Sequence, residues 1–358
     1  MARFAQHLHV WVATLLALAL FFLSHPLVAG SKPPTRELSL LIWTEYLDPE
    51  LIKAFEKSRG VRIKSVYFES DDVRDRLVQE VEGQGFDLAL VNDIMVAPYA
   101  TRGWLAPIDK AAIPNLKHID RRWLTAYPMV EDYAVPYFWG TLGIAYRKDI
   151  VTAPVTSWMD LFRPAESLRG RIIMVYDVRD TIGMALRALG YSVNTTDPEH
   201  LAAAARLLES QKPYVRSYSY VALTETSGIV TGEFAMTMLY NGDALLLRQY
   251  NKNIEYIVPK EGTNLWTDYI VVFNSSPKKD LAFDFINFLN EPKNAAKLAQ
   301  YVHYATPNVA AHKYLPKEFL ADPIIYPSPE VIARSESYAM LPPNTIKVRN
   351  DIFARLTR

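Results

Sequence analysis

Apolar residues run through this chain in short blocks, and the blocks alternate between strand and helix periods. Leu38 to Ile42 is a largely apolar run, and Asp48-Pro49-Glu50 after it supplies an N-cap, a proline at the first helical position and a first-turn carboxylate. Leu51, Ile52 and Phe55 then share one helical face, and Gly60 ends the segment. Val61 to Phe68 predicts a second strand. Ser70 and Asp71 can cap a helix carrying Val73, Leu77 and Val81, and Phe86 to Val91 predicts a third strand. The order is βαβαβ, the unit of a doubly wound sheet with buried strands.

From Ala106 to Glu131 the pattern is irregular, and Tyr133 to Arg147 then reads as one long extended segment passing between domains, with Pro136 and Gly140 inside it. A second α/β set follows: a capping-box-like start at Ser157-Trp158-Met159-Asp160, a strand from Arg171 to Tyr176, a helix from Thr181 to Leu189, and the cap-proline-acid device again at Asp197-Pro198-Glu199. Phe234 to Tyr240, Ile254 to Val258 and Leu265 to Phe273 predict further strands, and Leu281, Phe283, Ile286 and Leu289 mark a helix. The fold expected is two α/β lobes, each a doubly wound sheet, joined by extended crossings that can hinge. Residues 36–143 with 265–312 form one lobe in this reading, and 144–264 with 313–358 the other.

Composition narrows the function classes. Half of the 358 residues are apolar, and Lys+Arg and Asp+Glu balance at 39 each, which gives no electrostatic reason for a nucleic-acid partner. Without cysteine there are no disulfides, thiolate nucleophiles or Cys-ligated metals. Arg3, an apolar run from Val10 to Leu23, and Ala29-Gly30 form the pattern of a secretory signal peptide over residues 1–29, too short in its apolar part for a membrane span. The mature chain is therefore expected outside the cytoplasmic membrane.

Ligands of open α/β sheets bind beyond the carboxyl ends of strands, so acids and aromatics at those positions are the candidate site. They are Trp43, Thr44, Glu45 and Tyr46 after the first strand, Asn92 and Asp93 after the third, Asp177 and Asp180, then Tyr240, Asn241 and Asp243, and finally Trp266 with Asp268, which alternation puts on one strand face. Carboxylates beside indole and phenol rings suit ammonium groups. Aromatics and acids also line sugar clefts and carboxylate-pair hydrolases, which leaves those classes open. Phosphate-binding loops, nucleophile elbows and H-E-x-x-H are missing, and His118, His200, His303 and His312 are not at metal-ligand spacing, so neither a cofactor nor a metal is expected.

An ordered set of motifs from about residue 38 to about 330 resembles the periplasmic polyamine-binding proteins, the spermidine/putrescine receptors of ABC importers. It comprises Trp43-Thr44-Glu45-Tyr46, Val135-Pro136-Tyr137, Trp139-Gly140, Thr156-Ser157-Trp158, Met184-Ala185-Leu186-Arg187 and Leu189-Gly190-Tyr191-Ser192. Asn194-Thr195-Thr196-Asp197-Pro198, Asn241-Gly242, Pro259-Lys260-Glu261-Gly262 and Thr306-Pro307-Asn308 continue it. The resemblance implies a two-lobed periplasmic monomer that catalyses nothing and closes on a di- or triamine. Its membrane partner would be a permease or, alternatively, a signalling receptor. It assigns ammonium contacts to Glu45, Asp177, Asp180 and Asp268, and aromatic walls to Trp43, Tyr46, Tyr240 and Trp266, with Asn92 and, less directly, Thr44 and Tyr338 beside them.

Overall fold

The computed structural model describes residues 36–358; the segment read as a signal peptide lies outside the described residues. The opening unit is strand β1 (Arg36–Trp43), helix α1 (Pro49–Arg59), β2 (Val61–Phe68), α2 (Asp71–Glu80) and β3 (Leu88–Asn92). The capping chemistry operates as the sequence dictates: the Asp48 carboxylate accepts from the Glu50 N–H at 2.7 Å, Ser70 Oγ accepts from the Val73 N–H at 3.2 Å, and Gly60 closes α1 at φ +62°, where a side chain would be strained. β1 lies parallel between β2 and β3.

Strand β4 (Ala134–Arg147) is buried along nearly its whole length and belongs to both halves of the molecule. The second half contains β5 (Ile172–Met174), α3 (Val178–Ala188), α4 (Pro198–Gln211), β6 (Val215–Tyr218), β7 (Met236–Tyr240), α5 (Asn241–Tyr250) and β8 (Ile254–Ile257). The chain then returns through β9 (Leu265–Val272), α6 (Lys279–Leu289) and α7 (Pro292–Val302), and ends on α8 (Pro343–Leu356). The first part of β4 pairs antiparallel with β9, which in turn pairs with β3, whereas Leu142 to Arg147 pairs with β7 and β8. The register slips between Pro136 and Phe138, where proline has no N–H to give the ladder.

Each sheet is covered on both faces. Leu38, Leu40 and Leu88 pack with Phe285 and Leu298 of α6 and α7 on one side of the first sheet, and Leu41, Val91, Tyr99 and Phe273 fill the other. In the second half Ile172 and Met236 pack against Ile182 of α3, Leu208 of α4 and Ile352 of α8, and Ala145, Leu239 and Tyr256 face the opposite layer. One stretch packs differently from the expected division. Leu315 joins the first core, and Ile325 sits on Trp123, Trp139 and Ala305, so this part of the chain rests on the first half, whereas Tyr338 and α8 pack on the second.

Candidate ligand-binding cleft

The carboxyl ends of β1, β3 and β7, together with β9, open onto a cavity of about 680 Å³ between the two halves. Trp43, Thr44, Tyr46, Asn92, Asp180, Tyr240, Trp266, Asp268 and Tyr338 all line it. Asn241 does not, its amide being bonded to the Thr141 N–H and the Ile324 carbonyl, and neither do two residues assigned ammonium contacts. Glu45 adopts φ +57° in the turn after β1, is exposed, and its Oε2 accepts a 2.6 Å hydrogen bond from the Tyr301 hydroxyl of α7. Asp177 is the N-cap of α3: its carboxylate accepts from the backbone N–H groups of Arg179 and Asp180 at 2.7 and 2.9 Å and lies 3.4 Å from the Arg179 guanidinium. Backbone geometry turns the first away, and capping occupies the second.

Three carboxylates lining the cavity are held by phenols. Tyr46 donates to Asp268 Oδ2 at 2.9 Å, Tyr304 to Asp243 Oδ1 at 2.7 Å, and Asp180 accepts from Tyr240 at 2.7 Å and from Tyr338 at 2.8 Å. Burial pushes all three acids up: Asp268 to about 7, with the Asp71 charge adding to the effect, Asp180 to about 7, with Asp177 adding, and Asp243 to about 6. Burial and the neighbouring carboxylates also raise the four tyrosines well above their ordinary value, so the phenols remain donors at neutral pH. Among the described residues, no Lys or Arg nitrogen lies within ion-pair distance of these three acids; the cavity's ion pairs run through Arg179 and Arg74 instead. A buried carboxylate with hydrogen bonds but no cation is a site that a cation stabilises.

Two further carboxylates on the cavity wall are compensated from within. Asp71, at the start of α2, accepts from Arg74 at 2.6 Å, from Arg179 at 2.9 Å and from the Asn92 amide. Burial would raise its pKa, but the two guanidinium charges outweigh burial and lower it. Asp93 accepts from Tyr127 at 2.8 Å and lies 4.0 Å from Arg179; burial lifts it to about 6 against the pull of that charge.

The aromatic walls come from both halves. The Trp266 ring meets Tyr304 edge-on at 4.9 Å and Tyr240 at 5.9 Å, and Trp43 lies 4.5 Å from Phe68 and 5.9 Å from Tyr220. Two glycines make room for this packing. A Cβ at Gly140 would come within 2.5 Å of the Trp266 ring, and one at Gly183 would lie 2.7 Å from the Tyr338 hydroxyl that reaches Asp180. Asn92 Oδ1, Asn264 Oδ1 and Trp266 Nε1 line the cavity as buried polar atoms without a protein hydrogen-bond partner. The two amide oxygens can accept from N–H donors.

Sequence reading missed Asp71, which it took only as a helix cap, together with Arg179, Tyr220, Asn264 and Tyr304. It had picked out Asp93 and Asp243 by their place after strand ends without assigning them a role. Among the described residues there is no group of three or more His, Asp or Glu side chains arranged to hold a metal ion.

Comparison with known proteins places this geometry in a family. The bacterial extracellular solute-binding protein model matches residues 50–327. The spermidine/putrescine-binding periplasmic protein of Escherichia coli is 33% identical over 296 residues, covering 82% of this chain and 84% of that protein. The norspermidine sensor of Vibrio cholerae is 31% identical and covers 90% of this chain and 89% of its own. The solved structure of the spermidine/putrescine ABC transporter substrate-binding protein of Streptococcus pneumoniae superposes with a TM-score of 0.78 at 28% identity, over 90% of this chain and 98% of that one. The chain belongs to the bacterial extracellular solute-binding protein family and is similar, within it, to the spermidine/putrescine-binding periplasmic proteins.

Proposed function

We propose that this protein is a periplasmic polyamine-binding protein that captures a di- or triamine between its lobes and presents it to the membrane permease of an ABC importer. The observation that carries the reading is the set of three phenol-held carboxylates, Asp180 buried and Asp243 and Asp268 partly buried, in a cavity walled by Trp43, Tyr46, Tyr240, Trp266 and Tyr304. Ammonium groups would supply the missing charge, and methylene stems would lie against the rings, each well-placed ring adding roughly 0.5–2 kcal/mol. The protein binds as a monomer and performs no chemistry on its ligand. No nucleic acid takes part. Similarity to a norspermidine sensor across nine-tenths of the chain supports a second reading, in which the liganded lobes are read by a membrane signalling receptor. Thermal melting tests the ligand class: putrescine, norspermidine or spermidine raises the melting temperature while mono- and disaccharides leave it unchanged. Stabilisation by saccharides alone overturns the proposal. Co-purification from membranes, with a permease or with a receptor, decides between the two partners.

A further inference from the structure

Among the described residues, Arg179 is the one cationic side chain lining the cavity. It leaves the first turn of α3 in the second half, and its guanidinium crosses to the first half, 2.9 Å from Asp71 and 4.0 Å from Asp93, over the face of Tyr338 at 5.7 Å. No other ion pair among the described residues joins the two halves, taking β4 before and after Thr141 as the dividing line. The guanidinium is only partly exposed, at 25%, and its partners are 17% and 3% exposed, so water screens this cluster weakly. At Asp71 and Asp93 a charged protein group already stands where an ammonium would otherwise find two carboxylates. Asp180, Asp243 and Asp268, by contrast, have only phenol donors and no ion-pair partner.

From this asymmetry we infer that Arg179 is a specificity-determining residue: it closes Asp71 and Asp93 to ligand cations, confines the ammonium groups to Asp180, Asp243 and Asp268, and thereby limits the length and charge of the polyamine accepted. The inference rests on the polyamine reading of the same cavity. A ligand with a fourth ammonium meets the guanidinium instead of a carboxylate, and like-charge contact offsets the gain from its extra charge. Replacing Arg179 by a neutral group releases Asp93 and half of the compensation at Asp71, whose other partner, Arg74, is buried and stays. Asn92, the cross-strand partner of Asp268, bonds Asp71 and directly precedes Asp93, so a longer amine anchored at Asp268 can reach them.

Isothermal titration with spermidine and spermine reads the effect as a ratio of affinities. In the wild-type protein spermine binds no more tightly than spermidine despite its additional charge. R179Q shifts the ratio towards spermine by about 10-fold or more, and R179K, which keeps the charge, stays within about 3-fold of wild type. Adding Asp71→Asn to R179Q returns the ratio towards the wild-type value. A merely structural role would move both amines together and leave the ratio unchanged, which overturns the inference. So does R179K behaving like R179Q, or wild-type protein binding spermine about 10-fold more tightly than spermidine, a result that needs no variant to fold. Wild-type protein that binds neither amine overturns the polyamine reading itself, and this inference with it.

Discussion

Asp71 and Asp268 are both aspartates lining one cavity, yet their electrostatics are opposite. Asp71 has two guanidinium partners and an amide donor, and its pKa falls; Asp268 has one phenol, and burial lifts it to about 7. The first carboxylate completes a network inside the protein, and the second is left for something outside it. Burial alone therefore does not mark a ligand site. Burial combined with hydrogen-bond donors and the lack of a cation does, because the protein then bears a desolvation cost that a bound ammonium offsets.

The sharpest way to break this contrast is Asp268→Asn. Removing the anionic partner of a buried charge pair costs about 2–5 kcal/mol, so amine affinity drops about 100-fold or more in calorimetric titration. The same substitution leaves the ligand-free protein as stable as wild type, or more so, at about pH 8, where the native Asp268 bears an unpaired charge. Asp71→Asn behaves in the reverse way: stability falls because Arg74 and Arg179 lose their partner, while triamine affinity changes by less than about 10-fold. Equal effects of both substitutions on binding would erase the distinction.

A smaller effect comes from pH. Asp268 and Asp180 titrate at about 7 and Asp243 at about 6 in the folded protein, above the ordinary carboxylate value. Their contribution to the stability of the ligand-free protein is complete below the unfolded carboxylate pKa and is lost as pH rises through the folded values of about 6 to about 7. Amine binding favours the ionised carboxylates, so affinity rises by about 10-fold or more between about pH 5.5 and about pH 7.5, where aliphatic ammonium groups stay charged. Protons are released on binding, which titration in buffers of different ionisation enthalpy detects. Affinity flat across this range contradicts the assignment of these acids as the ammonium sites.

Next in size is Tyr304→Phe, which removes the hydroxyl from Asp243 while keeping the ring against Trp266; it weakens binding about 3- to 10-fold by calorimetry. Glu45→Gln should do least, changing affinity by less than about 3-fold, because the side chain is exposed and turned to Tyr301. A large loss with Glu45→Gln would show that the turn after β1 swings its carboxylate into the cleft when ligand binds.

Much of the fold was legible because its signals are local. Asp48-Pro49, Ser70, Ser157 and Asp197-Pro198 cap helices in the structure as their spacing predicts, and the long segment through Pro136 and Gly140 is the strand shared by both halves. Helices α5, α7 and α8 had gone unread. α5 starts directly at the end of a strand without a side-chain cap, and α8 likewise has none. At the site, strand-end logic placed Trp43, Tyr46, Asp180, Trp266 and Asp268 on the cavity wall. It failed at Glu45, because a positive φ at a non-glycine residue reverses a side chain without leaving a sequence signature. Tyr304 lies beyond α7, just before Ala305 bridges to Trp139, in a stretch with no periodicity to read. Arg179 was overlooked for a chemical reason: a search for groups that attract cations passes over a cation, and only the positions of Asp71 and Asp93 across the cleft reveal what it neutralises.

The central claim, that phenol-held carboxylates make this cleft a polyamine site, is tested most directly by isothermal titration of the wild-type protein with putrescine, cadaverine, norspermidine and spermidine. Saturable one-to-one binding of at least one of these amines, abolished or weakened about 100-fold by Asp268→Asn, is the predicted result. No heat of binding with any of the four, or binding that Asp268→Asn leaves intact, would contradict it.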